Sequence, residues 1–144
     1  MKWQIAVLGG DGIGPEVAEA SLDVLRVTAE RFGHELVTDA QDVGYAAYES
    51  SGHPLPLATL AACHAADAVL LGAVGDPRSV DIPVELRPEA GLLGLRKEMG
   101  CYANLRPVRL LPALASASPL RPEVVAGTDM VIVRELSGGL YYSE

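Results

Sequence analysis

The sequence predicts an α/β fold in which a central, largely parallel sheet is flanked by helices, and three features predict it. Runs at 5–8, 68–71 and 130–133 are short and nearly continuous in aliphatic and β-branched residues, as strands covered on both faces are. A strong helical pattern separates the first two runs. Turn residues punctuate the whole chain, with 15 Gly and 10 Pro among 144 residues, which suits a small fold with many tight connections.

The elements follow in order. Residues 5–8 (Ile-Ala-Val-Leu) stop at a glycine-rich turn and form the first strand; the run is too short for the apolar core of a signal peptide. From Pro15 to Phe32, the residues Val17, Leu22, Leu25, Ala29 and Phe32 recur at helical spacing. Pro15 stands in the first turn, where its missing N–H costs little, and Gly33 marks the end. Residues 35–38 read as a second strand leading into a loop at 39–43, which completes a β-α-β unit. Segments 45–50 and 57–65 read as short helices. A further helix spans 88–99, with Glu89 in its first turn and Arg96 and Lys97 near its end, as the helix dipole favours. Segment 102–110 is extended and contains Pro107, which places it at a sheet edge or in a crossing between domains.

Composition narrows the function. With 49% hydrophobic and 21% charged residues the chain folds rather than staying disordered. A net charge of −8, with no local Lys/Arg cluster, argues against nucleic acid and anionic membrane as partners. The longest apolar stretch, around 65–75, is interrupted by Asp67 and falls well below spanning length. A cytoplasmic location is expected. Cys63 and Cys101 lack metal-ligand spacing and sit in apolar stretches, so both are expected to be buried thiols in a reducing compartment.

Four places could carry chemistry. The segment Gly9-Gly10-Asp11-Gly12-Ile13-Gly14-Pro15 follows a strand and opens a helix, where phosphate-binding loops occur. It is neither a dinucleotide fingerprint, since Asp11 and Pro15 stand where glycine is required, nor a P-loop, since no Gly-Lys-Ser/Thr follows. A tight turn needing positive φ and a ligand loop both remain open for it. The long connection beginning Gly72-Ala73-Val74-Gly75-Asp76 leaves the carboxyl end of a strand, the edge at which open α/β sheets bind ligands. Arg96, Arg106 and Arg134 lie in apolar settings; each could pair internally, with Glu98 or Glu135 for example, but three guanidiniums together suit a dicarboxylate pocket. Tyr141, after the Ser137-Gly138-Gly139 turn, reads as packing or as a proton donor within reach of a carbanion.

These segments, together with Arg87-Pro88-Glu89-Ala90-Gly91-Leu92-Leu93-Gly94-Leu95-Arg96, Tyr102 to Pro107, Ser118-Pro119-Leu120 and Val131 to Tyr141, resemble in order the β-hydroxyacid oxidative decarboxylases. Within that group the 3-isopropylmalate dehydrogenases are most similar, and the likeness covers their amino-terminal portion. It implies an incomplete isopropylmalate dehydrogenase-like fold, with 1–100 the amino-terminal part of a cofactor-binding domain and 101–144 the start of a second, substrate and dimerisation domain. It also implies NAD-dependent oxidative decarboxylation of 3-isopropylmalate to 2-oxoisocaproate, a step of leucine biosynthesis, by a homodimer in the complete protein.

Position by position, the resemblance makes Arg96, Arg106 and Arg134 the substrate-carboxylate arginines, and Tyr141 the catalytic acid that protonates the enolate. Leu92 and Leu93 fall where the isopropyl branch would rest; isocitrate-using relatives carry a polar contact there, which an apolar pair cannot supply. Ile13, Gly72, Ala73, Val74, Gly75, Asp76 and Glu89 fall where the family lines the nicotinamide and its ribose. Asp76 departs from the pattern, because the family often has a second glycine there, and it brings an extra negative charge toward the cofactor. The family's general-base lysine and its Mg- or Mn-binding aspartates belong to segments that follow Glu144, so no metal site is expected in this chain and it is expected to be inactive alone. Isocitrate, homoisocitrate or tartrate dehydrogenase chemistry, and a non-catalytic binding or interaction fragment, are the alternatives.

Overall fold

A computed structural model describes residues 1–138. The chain forms two compact units, Met1–Met99 and Gly100–Glu144. The first is built on β1 (Lys2–Gly10), α1 (Gly14–Arg31), β2 (Glu35–Gln41), α2 (Tyr45–Ser51), α3 (Leu57–Ala65), β3 (Ala68–Ala73) and α4 (Pro88–Glu98), with short 3-10 turns at Pro77–Asp81 and Val84–Leu86. Its three strands are parallel in the order β2-β1-β3, so the fold is α/β with helices packed on a parallel sheet.

The pleat of β1 explains the two layers. Ala6 and Leu8 point to one face and join Val43, Cys63 and Leu95; Val7 points to the other and meets Ala18 and Leu22 of α1. Pro in the first turn starts α1, as expected, and Gly33, at φ 68°, follows its end. The buried stripe of α1 runs through Gly14, Ala18, Leu22 and Ala29, while Val17, Leu25 and Phe32 lie at its exposed margin. Small residues on the inner stripe let α1 sit close to the sheet.

The second unit holds β4 (Ala103–Arg109), a 3-10 turn (Pro112–Ala117), α5 (Pro122–Val125) and β5 (Asp129–Glu135). Here two expectations are corrected. The run 130–133 does not enter the parallel sheet: β5 pairs antiparallel with β4, and Met130 to Val133 are exposed rather than covered on both faces. An apolar β-branched run specifies a strand, but its periodicity carries no information about which strand it pairs with. Cys101 is exposed, because it lies in the coil before β4 and outside any helix or strand, whereas Cys63 on α3 is buried. Pro107 sits in a two-stranded ribbon, where each strand is an edge, opposite Val131. The predicted loop at 39–43 is shorter than expected, since β2 continues to Gln41 through its pairing with Leu8.

Candidate active site

β1 is the middle strand: the chain leaves it through α1 to β2 on one side and later returns as β3 on the other. The sheet therefore has a topological switch point between β1 and β3, the place at which open α/β sheets bind ligands beyond the carboxyl ends of their strands. Gly10 and Ala73 face each other across that point. Asp11 N–H donates to the Ala73 carbonyl at 2.7 Å, which closes the turn onto the end of β3.

The glycines of this turn serve two purposes. Gly10 and Gly12 have φ of 76° and 55°, the left-handed conformation. Gly14 and Gly72 are needed for close approach: a Cβ on either would overlap the Gly9 carbonyl oxygen, and one on Gly72 would also overlap that of Gly14. The open choice left by the sequence is thus resolved in part, since a tight turn requires these glycines whatever binds nearby.

Sequence reasoning passed over the residue at the centre of the turn. Asp11 is only 6% exposed, and its carboxylate accepts three backbone N–H groups, from Tyr45 (2.9 Å), Ala46 (2.9 Å) and Gly75 (2.8 Å). It thereby ties the β1 turn, the start of α2 and the loop after β3 together. A lone aspartate among glycines at a strand end was the available signal, since such a side chain commonly bonds neighbouring backbone N–H groups.

Within the first unit the structure gathers most of the predicted cofactor residues. Gly72, Ala73, Val74, Gly75 and Asp76 form the end of β3 and the loop beyond it, half-buried throughout. Glu89 is close by: a Cβ built on Gly75 would lie 3.8 Å from Glu89 Oε1. Ile13, the N-cap residue of α1, is 58% exposed. A cleft of about 350 Å³ opens on the β2 side, lined by Gly9, Gly10 and Pro15 of the glycine-rich segment together with Glu19, Gln41 and Asp42; none of the residues expected to line the nicotinamide borders it.

Asp76 does not present a bare charge. Arg78 grips it with a fork, Nε to Oδ1 at 2.9 Å and a terminal nitrogen to Oδ2 at 2.8 Å, while Arg78 N–H also donates to Oδ1. These bonds hold the Asp76 carboxyl below the usual carboxylate range and raise the Arg78 pKa.

α4 divides into two stripes. Pro88, Gly91 and Leu95 are buried, with Gly91 against the Pro54 backbone, where a Cβ would come within 2.7 Å of the carbonyl oxygen. Glu89, Leu92, Leu93 and Arg96 occupy the other side at spacings of three and four; Leu93 is 41% exposed and Arg96 half-buried. Among the described residues Arg96 has no hydrogen-bond or ion-pair partner, so Glu98 does not serve it. In the second unit Arg134 lies opposite Asn104, and Arg106 is two residues along β4, so both arginines share one face of the ribbon. Arg106 Nε donates to Asn104 Oδ1 at 2.8 Å. The Glu135 carboxylate turns to the Ser137 hydroxyl and the N–H groups of Ser137 and Gly138, which lower its pKa. Tyr141 lies outside the described residues.

A family model described as isocitrate/isopropylmalate dehydrogenase matches residues 4–144. The chain is 55% identical, over all of its 144 residues, to the 3-isopropylmalate dehydrogenase of Bacillus licheniformis, and 54% identical to that of Bacillus subtilis. It spans 39% and 40% of those two proteins, so it matches about two fifths of their length. Among solved structures it is similar to an isocitrate dehydrogenase from Methylococcus capsulatus (TM-score 0.74, 30% identity, 96% of this chain and 36% of that one). A β-decarboxylating dehydrogenase from Thermococcus kodakarensis in its apo form is also similar (TM-score 0.68, 34% identity, 96% of this chain and 35% of that one).

Proposed function

The chain belongs to the isocitrate/isopropylmalate dehydrogenase family, and from that premise we propose that it supplies the amino-terminal part of a NAD-dependent 3-isopropylmalate dehydrogenase. The observation that carries this reading is the outer stripe of α4. Leu92 and Leu93 lie one turn from Arg96, so a carboxylate bound by the guanidinium would have its neighbouring branch against aliphatic surface. A third carboxylate, such as isocitrate bears, would be left there without a partner.

The remaining residues take the roles that the family resemblance implies. Arg106 and Arg134, on one ribbon face, bind and orient substrate carboxylate, and Asn104 holds the Arg106 guanidinium in place. Ile13, the backbone from Gly72 to Gly75, Asp76 and Glu89 line the nicotinamide and its ribose, a reading supported by their place at the switch point of the sheet. When bound, the nicotinamide would supply a hydride acceptor for the carbon bearing the 2-hydroxyl. Tyr141 returns a proton to the enolate left by CO2 loss. Mg or Mn is the metal expected for such a reaction, but among the described residues no group of three or more His, Cys, Asp or Glu could hold it, and no step is assigned to it here.

On this reading 1–100 begin the cofactor-binding domain and 101–144 the second domain of a cytoplasmic homodimer, and the product is 2-oxoisocaproate for leucine biosynthesis. Replacing Arg106 by Gln in the complete protein tests it. Losing one charged partner of the substrate should raise KM for 3-isopropylmalate by a factor on the order of 30 or more, since charge-assisted hydrogen bonds contribute about 2 kcal/mol. An unchanged KM would remove the carboxylate role from this ribbon.

A further inference from the structure

The loop after β3 is fastened twice to the same place, the first turns of α2. Asp11 makes the first tie, joining the Gly75 N–H to the Tyr45 and Ala46 N–H groups. The second runs through the side chain of Arg78. While its fork holds Asp76, its guanidinium carbon lies 4.3 Å from the centroid of the Tyr45 ring, and its other terminal nitrogen is 3.4 Å from Glu49 of α2. Asp76 also bonds the Ser79 hydroxyl through its carbonyl, at 2.6 Å.

An ion pair at the surface is usually worth little, and the Arg78 side chain is 59% exposed. Three features set this one apart: the Asp76 side chain is only 12% exposed, the contact is a two-bond fork, and the guanidinium is seated on an aromatic face. We propose that Arg78 is a positioning residue for the dinucleotide: it neutralises Asp76 and, braced on Tyr45, latches the loop after β3 in the conformation that receives an anionic cofactor. The inference rests on the reading of that loop as cofactor-binding. It also accounts for an aspartate at a position where extra negative charge would otherwise disfavour an anionic cofactor.

The test uses the complete protein, with Arg78→Ala, Arg78→Lys and the double variant Asp76→Asn/Arg78→Ala. Two readouts are taken: KM and kcat for NAD, and hydrogen exchange of segment 74–79 without cofactor. Arg78→Ala should raise KM for NAD about fivefold, the scale of one exposed charge interaction, with kcat altered less than about twofold. Exchange of the segment should quicken by a similar factor. Arg78→Lys should recover part of the KM, because an ammonium keeps the charge but loses the fork. In the double variant KM should return toward wild type while exchange stays fast, which separates neutralisation from latching. Unchanged KM and exchange in Arg78→Ala, or equal losses in kcat and kcat/KM, would overturn the latch. A wild-type protein that bound no NAD would instead overturn the cofactor reading of the loop, and the latch with it.

Discussion

The Asp11 carboxylate accepts the Gly75 N–H at 2.8 Å, although the two residues stand 64 positions apart. The same oxygen accepts the Tyr45 N–H, and the other takes Ala46. One buried side chain therefore sets the distance between the turn after β1 and the loop after β3, on either side of the switch point. Replacing Asp11 by Asn swaps one acceptor oxygen for an NH2 group facing a backbone donor. The substitution should cost about 2–4 kcal/mol of stability, measured as a lower denaturation midpoint with unchanged slope, because a charged acceptor is lost and a buried N–H is left unmatched. A loss below about 0.5 kcal/mol would show that the three bonds are not a structural tie.

The glycines provide a second check, since their reasons differ. Gly72→Ala forces a Cβ into the Gly9 and Gly14 carbonyls and should prevent normal folding of the first unit or cost more than about 3 kcal/mol. Gly33→Ala meets nothing within 4 Å and should cost only about 1 kcal/mol, the left-handed penalty alone. Equal losses in the two variants, by thermal or chemical melting, would contradict this.

Much of the fold was legible because local signals agreed with it. The Pro15 start and Gly33 stop of α1, the apolar runs of β1 and β3, and the charged ends of α4 each have a local physical cause. What escaped was non-local. The run at 130–133 announced a strand but could not announce β4 as its partner. Cys101 looked buried from its apolar neighbours, but hydropathy does not reveal that it lies in coil. Asp11 and Arg78 make their contacts with α2, 34 residues on from Asp11 and 33 back from Arg78 to Tyr45, and no window on the sequence spans such gaps. Asp76 was noticed as a departure, whereas its neutralising partner two residues later was not.

The cysteines should differ in reactivity. Burial, with Asp39 adding a little, raises the Cys63 pKa and keeps its thiol protonated and shielded at neutral pH. Cys101 is exposed. Maleimide labelling of the native chain should modify one site rapidly, and peptide mapping should locate it at Cys101. Rapid labelling of Cys63 at the same rate would show that the core around α3 opens readily.

Acid should release the Asp76–Arg78 fork late. The folded Asp76 pKa is depressed, chiefly by the Arg78 side chain and then by its N–H, so the stabilisation is fully present above the ordinary aspartate value of about 3.9. It is lost as pH falls through the lower, folded value. Exchange of the Arg78 guanidinium protons, followed by NMR, should therefore report an intact pair at pH 5 and loosening only below about pH 4. Loosening between pH 5 and 7 would mean that the fork does not form in solution.

The most direct measurement is NAD reduction by the complete protein with 3-isopropylmalate and with isocitrate, for the wild type and for Leu92→Ser. The wild type should favour 3-isopropylmalate in kcat/KM by a factor on the order of 100, and Leu92→Ser should narrow that ratio about tenfold, as expected when an aliphatic wall gains a hydroxyl. Preference for isocitrate in the wild type, or a ratio unmoved by Leu92→Ser, would contradict the assignment of α4 as the surface that selects the substrate.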